Sequence, residues 1–199
     1  MNLLILVSAV FVIVSFFMIS LSNVMLESVA SSYIKQKEKD VYNIAVVSQS
    51  LCETNTFYLQ NSIETNPANA FSRGLYYAMV IKSIPIESGP SKGLNRIIFQ
   101  IFPRTDLKHL IAADSFDVDA EIKFFECTEN GCIESSQLLL DPQQHPKTNA
   151  FILVKEVVGG KKFLYFIPCS TEGRACEDNF SEAEAAIDRD FYCGLFTLG

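Results

Sequence analysis

Apolar positions follow one another in three regimes along this chain. After Asn2 and as far as Leu21 nearly every residue is Leu, Ile, Val, Phe or Met, relieved only by Ala9, Ser8, Ser15 and Ser20, and no charged side chain precedes Glu27. A helix apolar all round has no face to give to water, so it must be enclosed by apolar material. Beyond Glu27 the pattern becomes amphipathic. Ile34, Val41, Ile44, Ala45, Ser48, Leu51 and Cys52 recur at helical spacing, while Lys35, Lys37, Glu38, Lys39 and Asp40 fall largely off that stripe. No Pro occurs before Pro67 and no Gly before Gly74, and these are the residues that most readily stop a helix. The two regimes together predict one helix from the N-terminus to about residue 52, about 78 Å long at 1.5 Å per residue.

The third regime is β-like. Glu64 to Gly74 (ETNPANAFSRG) reads as a linker, and short alternating runs separated by turn residues follow it. Strands are predicted over Leu75–Ile86, over Leu94–Phe102 with Ile97, Phe99 and Ile101 on one face, and over Phe116–Cys127. In the last run Phe116, Val118, Ala120, Ile122 and Phe124 face inward, and Asp117, Asp119, Glu121 and Lys123 outward. Glu156 to Phe166 reads as a hairpin turning at Gly159-Gly160, because glycine takes positive φ without strain. Ser181 and Glu184 match a capping box, predicting a short helix from Ser181, and Phe191–Phe196 is apolar enough for a last strand. The fold class expected is α+β. A long helix packs on a mostly antiparallel β head, divided as an apolar helix over 1–26, an amphipathic helix entering the head over 27–66, and the head over 67–199.

Net charge is −7 and the sequence pI about 4.9, a balance that argues against nucleic acid, whose phosphates need a basic surface, and against anionic lipid headgroups. Six cysteines lie beyond the apolar segment: Cys52, Cys127, Cys132, Cys169, Cys176 and Cys193. Their spacings lack the paired short intervals of a zinc site, and His109 and His145 stand apart, so disulfides in an oxidising compartment are the better reading. Fifteen pairings are open. The Asn130-Gly131 turn suggests a hairpin stapled by Cys127 and Cys132, provided its loop has four residues. Cys169 and Cys176 close a second small loop, leaving Cys52 for Cys193. The acidic residues Asp114, Asp117, Asp119 and Glu121 lack the ligand order of a calcium loop and mostly share the solvent face of one strand. Glu87–Gly93 lacks phosphate-loop spacing, and Ser32-Tyr33-Ile34-Lys35 matches S-x-x-K without its companion motifs. No catalytic constellation, metal or cofactor is expected. Asn179-Phe180-Ser181 is a weak glycosylation sequon at Asn179.

Three uses of the opening segment compete: a cleaved leader, a bilayer anchor and the packed core of an assembly. A secretory signal needs a basic start, which is missing, and Ser28-Val29-Ala30 lies far past the apolar run. An anchor is long enough at roughly 20 residues. Yet Lys35, Lys37 and Lys39, all on its C-terminal side, would hold the cysteines in the cytoplasm. A short basic leader, removed ahead of Met1, resolves that conflict. The design, an apolar helical half running into an amphipathic half and then a disulfide-bearing β head, resembles the type IV pilin superfamily over about the first 52 residues. Major bacterial pilins carry a glutamate at mature position five, where this chain has Ile5, and often a Pro near the end of the apolar stretch, which is absent. Both departures look more like archaeal-type or tip-located minor pilins. The resemblance implies a structural subunit of an extracellular, cell-surface filament, inserted in the cytoplasmic membrane before assembly and packed as a helical homopolymer of copies of itself. Leu3, Leu4, Ile5, Leu6, Val7, Val10, Phe11, Val14, Phe17, Met18 and Leu21 would form the membrane helix and then the filament core. The alternative is a single-pass anchored ectodomain that binds a partner without polymerising.

Overall fold

The computed structural model describes residues 2–64, 74–144, 147–171, 175–187 and 191, and within them all side chains except those of 2–6, 19, 21–23 and 175. Helix α1 spans Asn2–Tyr42 and passes into a π-helical turn over Asn43–Val47. It ends ten residues before the expected point, without Gly or Pro. Ser48 turns to extended backbone (φ −60°, ψ 132°), and serine side chains then compete for the chain. Ser50 N–H donates to Ser48 Oγ (3.2 Å) and Ser50 Oγ to Cys52 C=O (2.5 Å). The freed carbonyls are taken by two lysines: Lys162 Nζ donates to Ala45 C=O (3.0 Å) and Lys155 Nζ to Ser48 C=O (2.6 Å). Cations at a helix C-terminus satisfy its carbonyls and its negative dipole end.

Strands β1 (Cys52–Tyr58), β10 (Ala150–Val158), β11 (Lys161–Cys169), β7 (Glu121–Thr128) and β8 (Gly131–Ser135) form a five-stranded sheet in that order, antiparallel except where β11 meets β7. A four-stranded antiparallel sheet runs β6 (Ala112–Val118), β5 (Asn95–Pro103), β4 (Tyr77–Pro85), β9 (Gln137–Leu140). The short strands β2 (Ile63–Glu64) and β3 (Gly74–Leu75) pair with each other. Alternation places Phe57, Phe124, Phe151, Leu153, Leu164 and Phe166 of the larger sheet in one buried cluster with Met79, Ile81, Ile97, Phe99, Ile101 and Phe116 of the smaller. Ala30, Ile34 and Val41 of α1 join this cluster. The far face of the larger sheet, with Ile152, Val154, Tyr165 and Ile167, is covered by helix α2 (Ala175–Ala186) through Phe180 and Ala183, together with Phe191.

The expected α+β class is corrected. More of the chain is strand than helix, and the two sheets cover each other as a β-rich sandwich, so no single sheet relies on a long helix for its cover. Two local misreadings account for this. The apolar spacing that carries the helical stripe on to Cys52 runs into CETNTFY, whose Thr, Phe and Tyr favour strand, and β1 is paired throughout with β10. The alternation over Phe116–Cys127 belongs to two strands, β6 and β7, in different sheets, and Asp119-Ala120 is the corner between them. Alternation survives a corner, so periodicity does not reveal it.

Smaller expectations fare unevenly. The Gly159-Gly160 hairpin is present, with both glycines at positive φ (58° and 81°) and Val158 paired with Lys161. The strand expected over Leu75–Ile86 is realised from Tyr77 to Pro85 as β4, with Leu75 in β3 instead, and that over Leu94–Phe102 as β5. Ser181 does not cap a helix: α2 starts at Ala175, and Ser181 Oγ donates back to Glu177 C=O (3.1 Å). Most of the linker and of the last strand, residues 65–73 and 192–196, lies outside the described residues.

Candidate functional site

The first half of α1 is the outstanding chemical feature of the surface. Val7, Val10, Phe11, Val14, Phe17 and Met18 are half to three-quarters exposed, and so are Val12, Ile13 and Phe16. Consecutive exposed positions from Val10 to Val14 cover the whole helix circumference at about 100° per residue, so apolar side chains are presented on every side, relieved within Val7–Met18 only by Ser8, Ala9 and Ser15. Val12, Ile13, Phe16, Phe17 and Ser20 border a shallow apolar groove. The remaining residues assigned to this surface, Leu3, Leu4, Ile5, Leu6 and Leu21, lie in α1 with side chains outside those described. Among the described residues no helix is long and apolar enough to cross a membrane.

Contact with the sandwich starts at Leu26 and Val29 and is locked further on by a ring of hydrogen bonds that sequence reasoning missed. Tyr77 OH of β4 donates to Gln60 C=O (2.9 Å), which commits its single proton. Tyr33 OH of α1 therefore donates to Tyr77 OH (3.0 Å) while accepting Gln60 N–H (3.1 Å). The two rings meet edge to face at 5.8 Å. Burial raises the pKa of both phenols, and Tyr33 adds to the rise at Tyr77. Lys37 Nζ donates to Tyr58 C=O at the end of β1 (2.7 Å) and lies 5.8 Å from the Tyr33 ring centre. Burial lowers the Lys37 pKa, opposed by the Asp40 charge. Tyr42 closes the join edge to face on Phe116, 5.4 Å away. No spacing rule connects Tyr33 with a hydroxyl that is 44 residues away.

The disulfide expectations hold for two pairs. Cys127–Cys132 staples the β7–β8 hairpin, but across a two-residue turn (Glu129-Asn130) in which the cysteines are direct register partners; the four-residue loop is corrected. Cys169–Cys176 joins the end of β11 to α2. Cys52 is disulfide-bonded, and Cys193 lies outside the described residues. The acidic residues are dispersed. Asp117 is held by Arg96 (2.7 and 3.1 Å), whose hydrogen bonds keep its carboxyl below the usual range, while Glu121 belongs to the other sheet. No metal-holding group of three or more His, Cys, Asp or Glu side chains occurs among the described residues. His109 is exposed, and His145 lies outside the described residues. Asn179 sits within α2 with its Nδ2, the atom a glycan would take, donating to Pro168 C=O (2.6 Å). No family model, curated protein or solved structure matches this chain.

Proposed function

We propose that this chain is a structural subunit that assembles with copies of itself through the apolar half of α1, in an extracellular filament of the type IV pilus kind. One observation carries the reading: between Val7 and Met18 large apolar side chains are exposed on every side of the helix. A helix with one apolar face is satisfied by one neighbour, whereas a helix apolar all round requires several at once. Copies of α1 meet that demand, each contributing the same surface. Every Phe, Ile or Val so buried contributes about 1.5–3 kcal/mol before the cost of association. No charge lies in the segment to fix register, which is then set by close packing around the small residues Ser8, Ala9, Ser15 and Ser20. The acidic sandwich, braced by disulfides, lies outside the bundle. The activity is assembly, and catalysis is not part of it.

The test is electron microscopy of material sheared from producing cells, comparing the natural chain with the double variant Val12→Asp, Phe16→Asp. The natural chain gives filaments, and the variant gives dispersed subunits whose sandwich melts at an unchanged temperature. A natural chain recovered only as single copies anchored in lipid supports the alternative ectodomain and defeats the proposal.

A further inference from the structure

A polar cleft opens at the end of the five-stranded sheet. It is bordered by Tyr58, Gln60, Asn61, Glu64, Asn149 and Thr171 and holds about 700 Å³, within the roughly 300–1,000 Å³ usual for small-ligand sites.

Its floor is pinned from behind. Lys37 and Tyr33 of α1 hold Tyr58 C=O and Gln60 N–H, Leu59 N–H donates to Asn149 C=O (2.8 Å), and Gln143 Nε2 donates to Asn61 C=O (3.0 Å). The opposite wall is fixed by a reciprocal pair, Asn149 Nδ2 to Thr171 Oγ1 (2.7 Å) and Thr171 N–H to Asn149 Oδ1 (2.8 Å). The backbone is thus committed inward while the side chains of Tyr58 (46% exposed), Gln60, Asn61 and Glu64 face water. Among the described residues these four side chains make no hydrogen bond, so their donors and acceptors stand open to a ligand on a backbone that is held in place.

The composition of that set names the class of ligand. Two carboxamides offer donors and acceptors together, and one carboxylate accepts from adjacent hydroxyls. A half-exposed aromatic ring beside them suits the apolar C–H face of a sugar. Glu64 and the net charge of −7 disfavour an anion. We propose that this cleft binds a neutral oligosaccharide.

The test is saturation-transfer NMR on the full chain held in dodecylphosphocholine micelles, with chitotriose and maltotriose as probes. Transfer to the ring C–H protons of at least one probe is expected. It falls about tenfold or more in Tyr58→Ala, and also in the milder Asn61→Ala and Glu64→Gln variants, whose exposed positions leave the fold unchanged. Absence of transfer to both probes, or transfer that all three variants retain, overturns the proposal. Because the micelle-held chain is dispersed, the outcome is independent of filament formation.

Discussion

At the scale of single residues, the join between helix and sandwich rests on two phenols. Phenylalanine at Tyr77 removes the proton given to Gln60 C=O and the acceptor used by Tyr33. Urea unfolding of Tyr77→Phe is expected to show a loss of about 1–3 kcal/mol, the cost of leaving buried polar groups unpaired. Tyr33→Phe behaves similarly, and the double variant loses less than the sum, since both belong to one ring of bonds. The pH dependence has a definite sign. Burial raises both phenol pKa values in the folded chain above the free value near 10. The unfolded chain therefore loses these protons first, so this contribution to stability is full below about pH 10 and disappears as the pH climbs through the folded values. In a tyrosinate absorbance titration of this chain with seven tyrosines, a late phase coincident with unfolding is expected, and it is absent when Tyr33 and Tyr77 are both Phe. None of this was legible beforehand. Tyr33 stood inside a chance S-x-x-K match, and its partners are tertiary.

At the scale of elements, strands that keep local alternation were readable and boundaries set from afar were not. Strand β5 and the Gly159-Gly160 hairpin follow from a period-two pattern and positive-φ glycines, and β4, buried without a break from Tyr77 to Ile81, follows from a short apolar run. The end of α1 does not. Its stop is assembled from lysines 107 and 117 residues further along the chain than the carbonyls they take. Lys155, almost wholly buried, has its pKa lowered by burial and by the charge of Lys162, opposed by Glu53. Lys155→Met keeps the volume and deletes the donor to Ser48; a destabilisation of about 1–3 kcal/mol in thermal or urea unfolding is expected, with a smaller effect for Lys162→Met at its more open site. The β7–β8 staple was legible from Asn130-Gly131 beside Cys132, although the turn falls one residue earlier, at Glu129-Asn130, and is tighter than the loop expected. Replacing Cys127 and Cys132 together by Ala is expected to lower stability by about 2 kcal/mol, as the short closed loop dictates, while leaving the strand pairing intact by amide exchange.

At the scale of the whole molecule, the sequence showed a strand-rich, disulfide-bearing body behind an apolar segment, but not that the body is a sandwich of two sheets. Alternation records which side chains face inward and is silent on which sheet receives them, as the corner at Asp119-Ala120 illustrates. The described part of the candidate surface was legible as a composition, because an apolar run relieved only by Ser and Ala has to be enclosed. What encloses it is the central claim, and photo-crosslinking reads it directly. With benzoylphenylalanine in place of Val12 in producing cells, irradiation is expected to give a ladder of covalent multimers of this chain. Adducts to lipid alone, with no multimer, would contradict the account.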